Sequence, residues 1–233
     1  MQLAEDEVHL WRIATDRPCE LPNLRELLAV DERAKAHRFR FDRDRRRSIV
    51  RRAALRQIIG RYLDVSPAEL SFCYGPQGKP LLAAPFCEAG LEFNLSFSGE
   101  TALCAVARQP LGVDLERYRM IEDAGLVAKH FFTPAEISLQ NGADDANRVF
   151  LRHWTRKEAL IKATGSGLSV ALSSFDVSWL PDGAPRQVTL ADADGRPTTW
   201  YLRDLAPAPD ELAALATALP DAKIRWHGYS ASV

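Results

Sequence analysis

The stretch Trp154-Thr155-Arg156-Lys157-Glu158-Ala159-Leu160-Ile161-Lys162-Ala163-Thr164-Gly165-Ser166-Gly167-Leu168 has the spacing of a helix and its stop. The periodicity predicts a helix over 147–164 with Trp154 and Ile161 on the packed side. Glu158 and Lys162 lie four residues apart and share one face. Gly165 and Gly167 predict the helix end and a close turn, because glycine readily takes the left-handed conformation that ends helices. Taken alone, Glu158 and Lys162 also fit an exposed ion pair worth about 0.3–0.5 kcal/mol.

Upstream, Leu111-Gly112-Val113-Asp114-Leu115-Glu116 reads as a strand. Residues two apart on a strand point to one face, so Asp114 and Glu116 present two carboxylates together while Leu115 turns to a core. Such a pair suits a hard cation such as Mg²⁺; a solvated strand end has the same pattern. Before it, Phe93-Asn94-Leu95-Ser96-Phe97-Ser98 is a strand ending in small hydroxyl residues beside Gly99. It can offer hydrogen bonds to phosphate oxygens, or simply close a hairpin. Farther upstream lie Arg38, Arg40, Arg43, Arg45, Arg46, Arg47, Arg51 and Arg52, too many to be buried together. They form a solvated helix face or an anion pocket for a phosphorylated ligand.

Composition sets the frame. The 233 residues are 46% hydrophobic and 26% charged, which excludes a disordered chain, a collagen-like chain and a disulfide-stapled miniprotein. Lys and Arg number 30 against 31 Asp and Glu, for a net charge of −1, so a globally basic nucleic-acid binder is not expected. Cys19, Cys73, Cys87 and Cys104 form no C-x-x-C pair and read as reduced, mostly core thiols of a cytoplasmic protein. The five histidines have no ligand spacing, so no zinc site is expected. No Walker A, G-x-G-x-x-G or G-x-S-x-G motif occurs. The opening MQLAEDEVHLWR is acidic and polar, and no signal peptide is expected there. No apolar run approaches the roughly 18 residues of a membrane span.

Patterning predicts strands over 7–13, 70–73, 91–98, 102–108, 112–116, 175–179, 187–190, 198–205 and 224–229. Helices are predicted from 21, from an N-cap at Asp31, and over 43–62, 121–130, 134–139 and 147–164. Asp182-Gly183 and Asp194-Gly195 are hairpin turn signals, and the stretch from Gly75 through Pro76 to Pro80 reads as a loop. Helices followed by strands occur twice, in halves of about 110 residues each, so the expected fold class is α+β with two similar subdomains, 1–110 and 111–233.

In this order, F-N-x-S-x-S at 93–98, G-[VI]-D-x-E at 112–116 and W-[TS]-x-K-E-[AS]-x-x-K-x-x-G-x-G-L at 154–168 resemble the 4′-phosphopantetheinyl transferases of the surfactin-synthetase-activating (Sfp) type. The resemblance extends to Lys35-Ala36-His37-Arg38-Phe39, to Arg47-Ser48 and to Gly78-Lys79-Pro80. It implies two similar α+β subdomains in one chain, related by a pseudo-twofold, with the active site in the cleft between them, working as a monomer. It implies transfer of the phosphopantetheine arm of coenzyme A to a serine of an acyl or peptidyl carrier protein, with Mg²⁺ and release of 3′,5′-ADP. The partners implied are coenzyme A and the carrier, with neither nucleic acid nor membrane.

The same resemblance assigns roles. Asp114, Glu116 and Glu158 would hold the metal, Glu158 would also take the serine proton, and Lys162 would sit on the pyrophosphate. Lys35, Ser48 and Lys79 match positions that contact the nucleotide end, including its 3′-phosphate, and Asn94 and Ser96 match the strand lining the nucleotide. One departure stands out: many relatives carry a histidine between the two serines of the first motif, where this chain has Phe97, which cannot donate to a phosphate. The stretch after the metal strand, with Arg117, Arg119, Met120, Leu126, Val127 and Lys129, offers the apolar and basic groups that an acidic carrier helix would need. Two other readings compete on the residues alone. One is a metal-dependent phosphodiesterase or nuclease, and the other is a non-catalytic module binding through the basic helix.

Overall fold

The computed structural model describes residues 1–16, 21–75, 78–165, 170–179, 183–191 and 196–229. Cys19, Pro76, Gly167, Asp182 and Asp194-Gly195 lie outside the described residues. The alternating run EVHLWRIA forms β1 (Glu7–Ala14), followed by α1 (Leu21–Glu26), α2 (Val30–His37) and the long α3 (Asp42–Leu63). A small hairpin of β2 (Phe72–Tyr74) and β3 (Pro80–Leu82) precedes a larger one, β4 (Glu92–Ser98) and β5 (Thr101–Ala107). Gly99 turns that hairpin at φ 58°, a left-handed conformation that costs glycine nothing. β6 (Leu111–Arg117) leads into α4 (Ala124–Phe131), α5 (Pro134–Asn141) and α6 (Ala146–Thr164). β7 (Arg186–Ala191), β8 (Pro197–Leu205), β9 (Glu211–Thr217) and β10 (Lys223–Gly228) complete the order.

Two four-stranded sheets result, ordered β10-β1-β5-β4 and β6-β9-β8-β7. A strand, a long helix and a hairpin recur in each half. β1 neighbours β5 and β5 neighbours β4, just as β6 neighbours β9 and β9 neighbours β8. This is the α+β fold with two similar subdomains. α3 lays Ala54, Leu55, Ile58 and Ile59 on one sheet against Trp11, Ile13, Phe93 and Val106. α6 lays Ala159, Leu160 and Ala163 on the other against Leu202, Ala214 and Ala216. The opposite faces of the sheets meet through Val8, Leu10 and Leu103 on one side and Leu111, Val113, Leu115 and Leu215 on the other.

Each long helix also buries an arginine, and a buried guanidinium is tolerated only when its donors are used. Arg56 donates to Glu32 at 2.7 Å and to the carbonyls of Pro67 and Leu70. Arg156 donates to both oxygens of Asp204 and to the carbonyls of Val177 and Trp179. The two helices thus tie down the irregular chain that follows them by the same device.

Three expectations are corrected, and one strand lies where none is predicted. Residues 175–179 form no strand, because Lys157 takes the carbonyl of Phe175, Arg156 takes those of Val177 and Trp179, and Glu136 takes the N–H of Val177. With side chains satisfying the backbone, no ladder partner is needed. β9, whose sequence is ELAALAT, is the strand that the pattern leaves unassigned, and its alanines favour helix in isolation. All seven of its residues are buried in the middle of a sheet, where small side chains let α6 come close. The N-cap of α2 is Ala29, not Asp31, and its N–H is taken by Glu32 at 2.8 Å. Cys73 and Cys87 are exposed, while Cys104 is buried. Among the described residues no helix is long and apolar enough to cross a membrane.

His153 of α6 is fully buried, edge-on to Phe132, and among the described residues neither ring nitrogen has a hydrogen-bond partner. Burial, then the charges of Arg156, Lys157 and Arg152, push its pKa from 6.5 down to about 3. The unfolded chain binds a proton at this histidine below pH 6.5 while the folded chain does not. Stability from this group is therefore whole above that pH and falls by ~1.4 kcal/mol per unit below it, down to about pH 3. Thermal melts from pH 7 downward are expected to slope less in His153→Phe than in the wild type. Parallel slopes would mean that His153 protonates in place.

Candidate active site

β4 and β6 belong to different sheets, yet they run side by side at the seam between the subdomains. Alternate side chains of β4 do the joining. Asn94 Oδ1 accepts the N–H of Val113 at 2.9 Å. Ser96 Oγ accepts the N–H of Leu115 and donates to Asp114 Oδ1 at 2.7 Å. Ser98 Oγ donates to Glu116 Oε2 at 2.7 Å. The period of two that places Asp114 and Glu116 on one face of β6 is matched by the same period on β4.

α6 closes over that face because Gly112 has no side chain. A Cβ at Gly112 would stand 2.2 Å from the Ala159 carbonyl oxygen and 2.3 Å from the Ala163 nitrogen. This approach brings Lys162 Nζ to 2.5 Å from Asp114 Oδ1 and 3.1 Å from Ser96 Oγ. α6 starts on the Asp145 carboxylate, which accepts the N–H of Arg148 at 2.9 Å, and ends at Gly165 with φ 67°, as expected of its caps.

The electrostatics are those of crowded, desolvated carboxylates. Burial raises the Asp114 pKa above its usual range, against the pull of Lys162 and Ser96. Burial likewise raises Glu158, with Lys162 opposing and Asp114 and Glu116 adding to the rise. Asp114 Oδ2 is buried and has no hydrogen-bond partner among the described residues.

The three carboxylates expected to converge as metal ligands are within electrostatic reach of one another, and two of them are held by cations. Lys162 takes Asp114, and Arg119 Nη1 takes Glu116 Oε2 at 2.6 Å. Among the described residues no three acidic, histidine or cysteine side chains are gathered closely enough to hold a metal ion as they stand. The donor set nevertheless fits Mg²⁺. It consists of hard carboxylate oxygens, their mutual repulsion calls for a cation, and the unpartnered Oδ2 of Asp114 offers a free ligand atom.

Of the remaining predicted residues, Lys79 adjoins this centre. Lys79 Nζ donates to the carbonyls of Leu111 and Lys162 at 3.1 and 2.9 Å, and burial lowers its pKa. It clamps the β2–β3 hairpin to β6 and to the end of α6, a role that no sequence pattern announces. Ser48 is half-buried on α3, and Lys35 is exposed on α2 with its Nζ 5.9 Å from the Tyr74 ring; neither touches the carboxylates. Phe97 is 53% exposed. Beside Glu116 a cavity of about 260 Å³ is walled by Arg119, Ile121, Val127, Phe150 and Trp154. Met120 and Leu126 stand exposed near it. Arg117 pairs with Asp210 at 2.9 Å.

Residues 110–223 match the profile of the 4′-phosphopantetheinyl transferase superfamily, and residues 9–109 match a profile described as 4′-phosphopantetheinyl transferase, N-terminal. The chain is 42% identical over 223 residues to the 4′-phosphopantetheinyl transferase HetI of a Nostoc species, covering 94% of this chain and 90% of that protein. It is 30% identical over 217 residues to the 4′-phosphopantetheinyl transferase Sfp of Bacillus subtilis, covering 91% and 93%. The chain belongs to the 4′-phosphopantetheinyl transferase superfamily, as an enzyme of the Sfp type. That membership sets aside the phosphodiesterase and the non-catalytic module.

Proposed function

We propose that this enzyme moves the 4′-phosphopantetheine arm of coenzyme A to a serine of an acyl or peptidyl carrier protein, with Mg²⁺, releasing 3′,5′-ADP. The observation that carries the reading is the buried Asp114 carboxylate at the seam, held on one oxygen by Lys162 and Ser96 and left open on the other. Asp114, Glu116 and Glu158 would hold Mg²⁺, whose charge neutralises the phosphate oxygens as the pyrophosphate linkage breaks. Lys162 then turns from Asp114 to the pyrophosphate as a point charge. Glu158, its basicity raised by burial and by its acidic neighbours, takes the proton of the serine hydroxyl. The serine oxygen bonds to the phosphorus that bears the pantetheine arm, and the oxygen of 3′,5′-ADP leaves.

Asn94 and Ser96 hold β6 to β4 and so keep the carboxylates in place. Lys35, Ser48 and Lys79 are assigned to the nucleotide end. The carrier docks on the exposed apolar groups Met120 and Leu126 beside the cavity at Glu116. Residues 1–110 would supply the nucleotide contacts and 111–233 the reacting groups.

Intact-mass measurement after incubation with coenzyme A, Mg²⁺ and a panel of apo-carriers is expected to show one added phosphopantetheine arm. Asp114→Asn is expected to stay folded and to slow transfer roughly a hundredfold, the scale of losing one charge placed at a reacting centre. Wild-type turnover in Asp114→Asn would remove Asp114 from the machinery. An unchanged mass on every carrier would sink the reading.

A further inference from the structure

Among the described residues Arg51 has no ion-pair partner, and it is half-buried. Its guanidinium carbon stands 3.6 Å from the centre of the Phe97 ring. Among the described residues no carboxylate or carbonyl hydrogen-bonds to it, whereas its neighbours are engaged: Arg47 with Glu100 at 2.7 Å and Arg52 with Glu32 and Tyr74. Burial, then the charge of Arg47, lowers its pKa to about 10. An arginine that has lost water without gaining an anion is incompletely satisfied.

The surroundings fix where it sits. The Arg47–Glu100 pair ties α3 to the turn of the β4–β5 hairpin, which holds the exposed Phe97 ring under Arg51. The guanidinium lies over an aromatic face, which restricts its rotation and aims its donor edge outward. Ser48 is three residues before Arg51 and on the same side of the helix. On β4 the side chains alternate. Ser96 and Ser98 point to Asp114 and Glu116, and Phe97 points the other way, toward α3.

We propose that Arg51, resting over the Phe97 ring, binds the 3′-phosphate of the coenzyme A ribose and sets the preference for a 3′-phosphorylated nucleotide. This rests on coenzyme A being the donor substrate. The pyrophosphate under attack must lie by the acidic pair, so the phosphate reached from the opposite face of β4 is the one on the ribose. The phenylalanine thus supplies a platform for an arginine, which makes bidentate contacts that phosphate oxygens favour.

Titration calorimetry with 3′,5′-ADP and with 5′-AMP, which differ only in the 3′-phosphate, tests this without any transfer step. The wild type is expected to prefer 3′,5′-ADP. Arg51→Met is expected to weaken 3′,5′-ADP by about 10- to 100-fold, the range for a lost hydrogen bond to a charged group, and to leave 5′-AMP nearly unchanged. Phe97→Leu, which keeps the charge and removes the platform, is expected to cost about two- to five-fold on 3′,5′-ADP alone. A structural fault would weaken both nucleotides together, and that result overturns the proposal. Equal 3′,5′-ADP binding by wild type and Arg51→Met overturns it too, while the coenzyme A reading stands. Binding of neither nucleotide by the wild type overturns both.

Discussion

Gly112→Ala is expected to lose about 3 kcal/mol of stability, the upper end for forcing an extra carbon into a packed core. Most core substitutions find relief by a side chain turning away, but here the atoms in the way are backbone. The new Cβ would meet the Ala159 carbonyl oxygen at 2.2 Å, the Ala163 nitrogen at 2.3 Å and the Lys162 carbonyl carbon at 2.9 Å. Non-bonded carbon contacts are comfortable at about 3.5–4 Å, so α6 must withdraw by about 1 Å or β6 must bend. Either movement separates Lys162 and Glu158 from Asp114, and a misplacement of about 1 Å can cost a hundredfold in rate. Thermal melts and transfer assays on Gly112→Ala are therefore expected to fall together. A variant with wild-type midpoint and rate would show that the approach of α6 to β6 is looser than these distances.

The same glycine shows what could be read from the chain alone. Its neighbours Asp114 and Glu116 were legible, because a strand's period of two puts them on one face whatever lies opposite. The helix carrying Glu158 and Lys162 was legible down to its stop at Gly165. Gly112 read only as part of a strand, since nothing local records that a helix backbone crosses there. The resemblance singled out Lys79 as a nucleotide contact, but its clamp was not legible, because its two carbonyl acceptors are distant in sequence. β9 escaped for a related reason: its alanines are chosen by the closeness of α6, a tertiary demand that outweighs helix propensity. The 175–179 segment has strand-like composition but takes its partners from Lys157, Arg156 and Glu136. Charged side chains acting as backbone partners leave no periodic trace. The cations resting on Asp114 and Glu116 were likewise unreadable, since Arg119 and Lys162 could equally have faced solvent.

Lys157→Met is expected to cost about 3–5 kcal/mol, the scale of stranding one member of a buried ion pair. Lys157 and Glu136 are both without solvent exposure and stand 2.9 Å apart. All of the lysine's donors have acceptors: Glu136, and the carbonyls of Leu172 and Phe175 at 2.6 and 2.8 Å. Glu136 is as fully used. One oxygen closes the capping box of α5 on the Thr133 N–H at 2.8 Å, and the other takes the Val177 N–H at 2.7 Å. Burial raises the pKa of the acid and lowers that of the base, each opposed by its partner's charge. The pair therefore holds α5, α6 and the 172–177 chain in one arrangement, and Glu158 is the next residue along α6. Methionine fills the lysine's volume, so packing alone does not account for the loss. Glu136→Gln keeps the shape of the cap but removes the charge, and it is expected to be destabilising by itself. Combined with Lys157→Met it should cost less than the sum of the two, because neither variant then leaves a lone buried charge. Denaturant titrations of the two single variants and the double variant measure this coupling directly. Strict additivity, or a loss below about 1 kcal/mol in Lys157→Met, would mean that water or a shifted backbone replaces the pair, since a typical hydrogen bond is worth no more than that.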